Sequence, residues 1–199
     1  MAKGFKPWVG PGYEDGIGGL RILVLGESHY IQPEWDAGDR MTIQAVEENG
    51  LRKRHPFFTK VAKLVLDRRD HITDDERRQF WNSVAFYNYV QESVGLSPRD
   101  RPTDVMWASA GPAFLSQLAE LRPHCMIVLG QGLWGWLPKP AHEQADPFAL
   151  KVFELADHKV FATYTKHPSG RGFNYDTFGP QVQQLLKAAG EACSLAQVR

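Results

Sequence analysis

The chain has 199 residues, 43% hydrophobic and 23% charged, which suits one globular domain over residues 1–199 with a sizeable core. Lys plus Arg and Asp plus Glu both number 23, giving a formal net charge of zero. A nucleic-acid binder usually carries a basic surplus, so any basic face here must be local. The two cysteines, Cys125 and Cys193, exclude a four-thiolate metal or iron–sulfur site within one chain.

Residues 1–20 hold Pro7, Pro11 and six glycines and read as an irregular approach segment. "RILVLG" (21–26) is a short aliphatic run closed by glycine, the pattern of a fully buried strand. "PFFTKVAKLVLD" (56–67) repeats apolar residues at helical spacing, with Phe57, Val61, Leu64 and Val65 on one face. Thr73-Asp74-Asp75-Glu76 has the form of a capping box and opens a helix to about Asn82. "SVAFYNYVQ" (83–91) reads as a strand or extended edge segment. Thr103 is a candidate cap for another helix, with Pro112 starting or kinking "PAFLSQLAELRP". "CMIVLG" (125–130) is a second buried strand, followed by a short helical turn around Trp134. "LKVFEL" and "KVFATYT" flank "ADH" as two strands joined by a tight turn. Pro180 suits the first helical position and predicts a last helix from there to near Gly190.

Strands alternating with helices predict an α/β fold: a three-layer α/β/α sandwich with a short, mostly parallel central sheet. Neither an internal repeat nor a domain linker is legible. Ligands of such sheets bind beyond the carboxyl ends of the strands, where Gly26, Asn88, Gly130 and His167 fall. No signal peptide and no bilayer-length apolar run is legible, so the expectation is a cytoplasmic protein with no membrane partner.

The first buried strand ends in Gly-Glu-Ser-His-Tyr (26–30), a cluster of reactive side chains at a strand tip. One reading is a serine hydrolase. Gly-x-Ser after a strand has the form of a nucleophile elbow, and Ser28, Asp157 and His167 follow the triad order of α/β-hydrolases. Against it, Tyr30 stands where the motif needs its final glycine, and only about twenty residues precede the tip, where that fold normally places several strands.

A second reading joins five segments in order: "LGESHY", "HPFFTKVAKLVL", "FYNYVQESVGLSPRDRPT", "FLSQLAELRPHCMIVLG" and "TKHPSGRGFNYDTFG". Together they resemble the motifs of the uracil-DNA glycosylase superfamily, from about residue 21 to 188. The resemblance implies that fold, and hydrolysis of the N-glycosidic bond of uracil or a related damaged or modified pyrimidine in DNA. The product would be an abasic site. The partner would be single- or double-stranded DNA with an extruded base, and no cofactor or metal is implied, since the cysteines of cluster-containing branches are missing.

Carried over residue by residue, Gly26 begins the first motif and Phe57 matches the aromatic that stacks on the flipped base. Asn88 matches the amide that reads the pyrimidine edge, its acceptor and donors suiting N3–H and O4. His167 matches the histidine that stabilises charge developing on the base O2. Tyr30 resembles the tyrosine that excludes a C5 methyl. Arg171 falls where relatives fill the hole left by the base, and Lys166 and Ser169 are candidates for the flanking phosphates.

The departure is Ser28, which stands where active relatives often carry Asp or Asn to handle the attacking water. Glu27 and His29 are both candidates to compensate, the latter as a base titrating near neutral pH. A chain that keeps the pocket but has lost water activation, a nucleobase- or DNA-binding member, is the alternative reading.

Overall fold

The aliphatic run after Arg21 becomes the middle of a seven-stranded sheet in the computed structural model, which describes residues 4–31, 38–97, 100–145 and 147–197. The strands are β1 (Trp8–Val9), β2 (Ile22–Gly26), β3 (Ala85–Asn88), β4 (Cys125–Leu129), β5 (His142–Gln144), β6 (Leu150–Glu154) and β7 (Lys159–Thr165). Their spatial order is β1-β3-β2-β4-β7-β6-β5. The central four, β3, β2, β4 and β7, are parallel, while β1 on one side and β6 and β5 on the other pair antiparallel. Three of six pairings are antiparallel, so the sheet is mixed rather than mostly parallel.

Among the described residues six α-helices accompany it: α1 (Met41–Val46), continued by a wider π-helical turn over Glu47–Arg52, α2 (Pro56–Val65), α3 (Asp74–Asn82), α4 (Asp104–Leu121), α5 (Gln131–Trp136) and α6 (Tyr175–Gln197). Successive strand residues point to opposite faces. Ile22 and Val24 enter a core with Val61 and Leu64 of α2, Trp81 of α3 and Leu185 of α6. Leu23 and Leu25 enter a second core with Trp107 and Leu118 of α4 and Leu133 of α5. Helices thus cover both faces, and a strand buried on both sides must be apolar at every position, as "ILVL" is.

Several elements differ from the sequence expectation. The glycine-rich approach segment supplies β1, an edge strand whose Trp8 and Val9 pair with Phe86 and Ala85. β3 is therefore interior, not an edge. Residues 41–52 carry helix where the periodicity gave none; buried Arg77 of α3 pins the π turn by donating to the carbonyls of Gly50 and Leu51. α4 runs through Pro112, and α6 begins five residues before Pro180. Both prolines are exposed, and the buried residues around them, Phe114 and Leu118 in α4 and Phe178 and Val182 in α6, hold each helix across the lost hydrogen bond. The capping box of α3 is present as read, with the Glu76 N–H donating to Thr73 Oγ1 and the Thr73 N–H to the Glu76 carboxylate.

In α2 the buried residues are Phe58, Val61, Ala62, Leu64 and Val65. Phe57 lies at the margin of that stripe and is half-buried, rather than in its middle. Among the described residues, no helix is long and apolar enough to cross a membrane.

Candidate functional site

Parallel strands deliver their carboxyl ends to one edge, so the tips of β2, β3, β4 and β7 converge there by topology alone. Gly26 and Asn88 are register partners in the β2–β3 pair. Beyond them the Tyr89 N–H donates to the Gly26 carbonyl (3.0 Å) and the Val90 N–H to that of Glu27 (2.9 Å), locking the two tips together. Asn88 is buried, and a Cβ on Gly26 would stand 2.1 Å from Asn88 Oδ1 and 3.1 Å from Phe86 Cζ. Glycine at 26 is what lets the amide lie across the strand tip.

Phe57 joins this layer from α2. Its ring centroid is 6.4 Å from that of Phe86 and 5.3 Å from that of His167, the latter pair tilted by 33°. His55, the residue before α2, orients the helix start by accepting from the Phe57 N–H at 3.3 Å. Lys60, one turn on, donates to the Pro168 carbonyl at 2.8 Å and so fastens α2 to the turn that carries His167.

The Ser169 N–H donates to Nδ1 of His167 at 3.2 Å. An Nδ1 that accepts leaves the proton of the neutral ring on Nε2, which becomes a donor. Surrounding protein lowers the His167 pKa; Glu27 raises it, and Arg101 and Lys60 lower it further. Above its lowered pKa the ring is neutral, with one N–H to offer.

In front of this layer lies a cleft of about 340 Å³, lined by Glu27, Lys166, His167 and Arg171 among others. Four residues that sequence reasoning missed also line it: Arg101, Trp107, Gln131 and Trp136. Arg101 Nη1 lies 2.7 Å from Glu27 Oε1, and the Glu27 side chain is only 14% exposed. Burial raises the Tyr30 pKa, Arg101 lowers it and Glu27 raises it, so the phenol shares this electrostatic neighbourhood. For Trp136 a local signal is present: "QGLWGW" (131–136) directly follows Gly130, the residue after β4.

The sequence-chosen residues therefore sort into three places. Glu27, Lys166, His167 and Arg171 line the cleft; Gly26, Phe57 and Asn88 do not line it, Phe57 packing on the His167 ring and Gly26 pairing with Asn88 at the strand tip; Ser28, Tyr30 and Ser169 adjoin cleft residues in the chain.

His29 departs from its assigned role. It is buried, its Nε2 is 2.8 Å from Thr42 Oγ1, its ring meets Phe5 edge-on at 5.1 Å, and burial lowers its pKa to about 4. It is a neutral structural histidine, not a base titrating near pH 7.

Asp157 departs likewise. It precedes β7 and binds Arg122 and His158, whereas His167 follows β7, so about 20 Å of strand separates them. A Ser28–His167–Asp157 triad does not form. A second hollow of about 390 Å³, beside Ile17, Leu66 and Phe80, lies toward the amino ends of the strands; its arginine, Arg68, is committed to Asp70 and Glu76.

Among the described residues, no three His, Cys, Asp or Glu side chains are grouped to hold a metal. No protein-family model matches the chain, and no curated protein matches it.

Proposed function

We propose that the protein is a cytoplasmic DNA N-glycosylase with a uracil-DNA glycosylase-like fold, hydrolysing the N-glycosidic bond of uracil or a related damaged or modified pyrimidine. The observation that carries this reading is the neutral His167, its Nε2–H free to donate beside the Phe57 ring. An N–H aimed at the base O2 strengthens as the bond breaks and the base gains charge; one such donor is worth about 3–4 kcal/mol in the transition state.

In the reaction the C1′–N1 bond breaks with its electron pair leaving on the base. Water then bonds to C1′ and gives up a proton, which ends on the departed base anion and neutralises it. Phe57 would offer its ring to the extruded base, worth about 1–3 kcal/mol, and Asn88 its amide to the pyrimidine edge. The Glu27 carboxylate, aimed into the cleft and steadied by Arg101, would stabilise the cationic sugar and orient the water.

A second reading, a nucleobase- or DNA-binding member without turnover, is favoured by one observation: Glu27 is engaged by Arg101 and His29 by Thr42. The two separate on one assay. A uracil-containing oligonucleotide incubated with the protein and then with alkali is cleaved by a glycosylase and left intact by a binder. Asn88→Asp should depress cleavage at least about tenfold while the protein remains folded by circular dichroism at the assay temperature; an undiminished rate would remove Asn88 from its role.

A further inference from the structure

The indoles of Trp107 and Trp136 are stacked, with centroids 5.8 Å apart and planes within 5°. Trp107 is 7% exposed and Trp136 is 41% exposed, so one ring is the backing and the other the surface. Tyr89 holds both: its ring lies 6.0 Å from Trp107 and its hydroxyl donates to the Trp136 carbonyl at 3.0 Å. A large flat apolar face is thus kept rigid and partly in water, at the wall of the cleft that also holds Glu27 and His167. Nothing in the glycosidic chemistry above uses it.

We propose that Trp136, backed by Trp107, is a second base platform that receives an unpaired base of a single DNA strand, next to the extruded nucleotide. This rests on the DNA-glycosylase reading for its location, not for its chemistry. Trp107 belongs to the core on the α4 face of the sheet, whereas Phe57 packs against the core on the α2 face. The two aromatic surfaces therefore approach the strand tips from opposite faces of the sheet: Trp136 at the cleft wall, and Phe57 against the ring of His167, which also lines the cleft. Lys166 and Arg171 line that cleft, are exposed, and belong to no ion pair among the described residues. Cations that share a cleft with a flat aromatic face match the alternation of phosphates and bases in an unpaired strand. In a duplex each base face is covered by its neighbours, so such a platform has nothing to hold.

Anisotropy titrations of a labelled, uracil-free single strand and of its duplex would test this with the wild type, Trp136→Ala and Trp136→Phe. The alanine variant should bind the single strand about tenfold or more weakly and the duplex unchanged, while phenylalanine retains most single-strand affinity. Equal single-strand binding by wild type and Trp136→Ala overturns the platform, as does an equal loss on duplex, or no binding by the wild type. Uracil release, followed in parallel, separates the two claims. Release with unaltered Trp136→Ala binding removes the platform alone, and selective loss of single-strand binding without release by the wild type removes the glycosylase alone.

Discussion

Arg101 Nη1 sits 2.7 Å from Glu27 Oε1, and the two charges act on His167 with opposite sign, the carboxylate raising its pKa and the guanidinium lowering it. Burial acts first and lowers it below the ordinary 6.5. If the neutral ring is the working form, activity is present above the His167 pKa and lost as pH falls through it. Glu27→Gln should move that acid limb to lower pH and Arg101→Gln to higher pH. Pre-steady-state pH profiles and an NMR titration of the His167 ring both read this. Shifts of the same sign in both variants would show that another group governs the limb.

Gly26→Ala tests the strand tip. The added methyl would overlap Asn88 Oδ1 at 2.1 Å and press on Phe86 Cζ at 3.1 Å, so the amide has to swing away. The expected outcome is a loss of about 1–3 kcal/mol in urea denaturation, typical of overpacking. Uracil release should fall at least about tenfold. Since both changes act on one amide, Gly26→Ala on an Asn88→Ala background should cost little further activity. Full additivity would show that the glycine acts elsewhere.

The residues that were legible in the sequence are those whose neighbours are local or fixed by a strand. β2 and β4 were plain because strands buried on both faces have no polar position, and the α3 cap because its donors and acceptors lie within four residues. The tip of β2 pointed to the site because parallel strands must end together. Arg101 and Trp107 were not legible, and Trp136 only through its place just after β4, because what makes them cleft residues is contact across 74 positions for Arg101–Glu27 and between α4 and α5 for the indoles. His29 misled for the same reason: an imidazole at a strand tip looks reactive until Thr42 and Phe5 close over it. β1 was hidden because an edge strand of two residues is too short to show a period.

Lys60 links the helix that carries Phe57 to the turn that carries His167, through its bond to the Pro168 carbonyl. Lys60→Met keeps the aliphatic stem and removes the donor. The expected stability loss is about 1.5–3 kcal/mol, the worth of a hydrogen bond from a charged group. Uracil release should fall several-fold through kcat more than KM, because the interaction of His167 with the leaving base is specific to the transition state. A change confined to KM would instead assign Lys60 to phosphate binding.

His29 sets a pH dependence of folding that is separable from the cleft. Its folded pKa, about 4, lies below the ordinary 6.5, so between these values the unfolded chain binds the proton and the folded one does not. Stability is therefore full above about pH 6.5 and declines as pH falls toward 4. The shift corresponds to roughly 2–3 kcal/mol lost between pH 7 and 4.5. His29→Gln can still bond Thr42 but does not titrate, so its stability should fall less over that range by about that amount. His55, His124 and His167, whose pKa values burial also lowers, remain in both proteins and cancel in the comparison. Urea denaturation at the two pH values reads the difference, and an equal loss in both proteins would mean that folding leaves the His29 pKa unshifted.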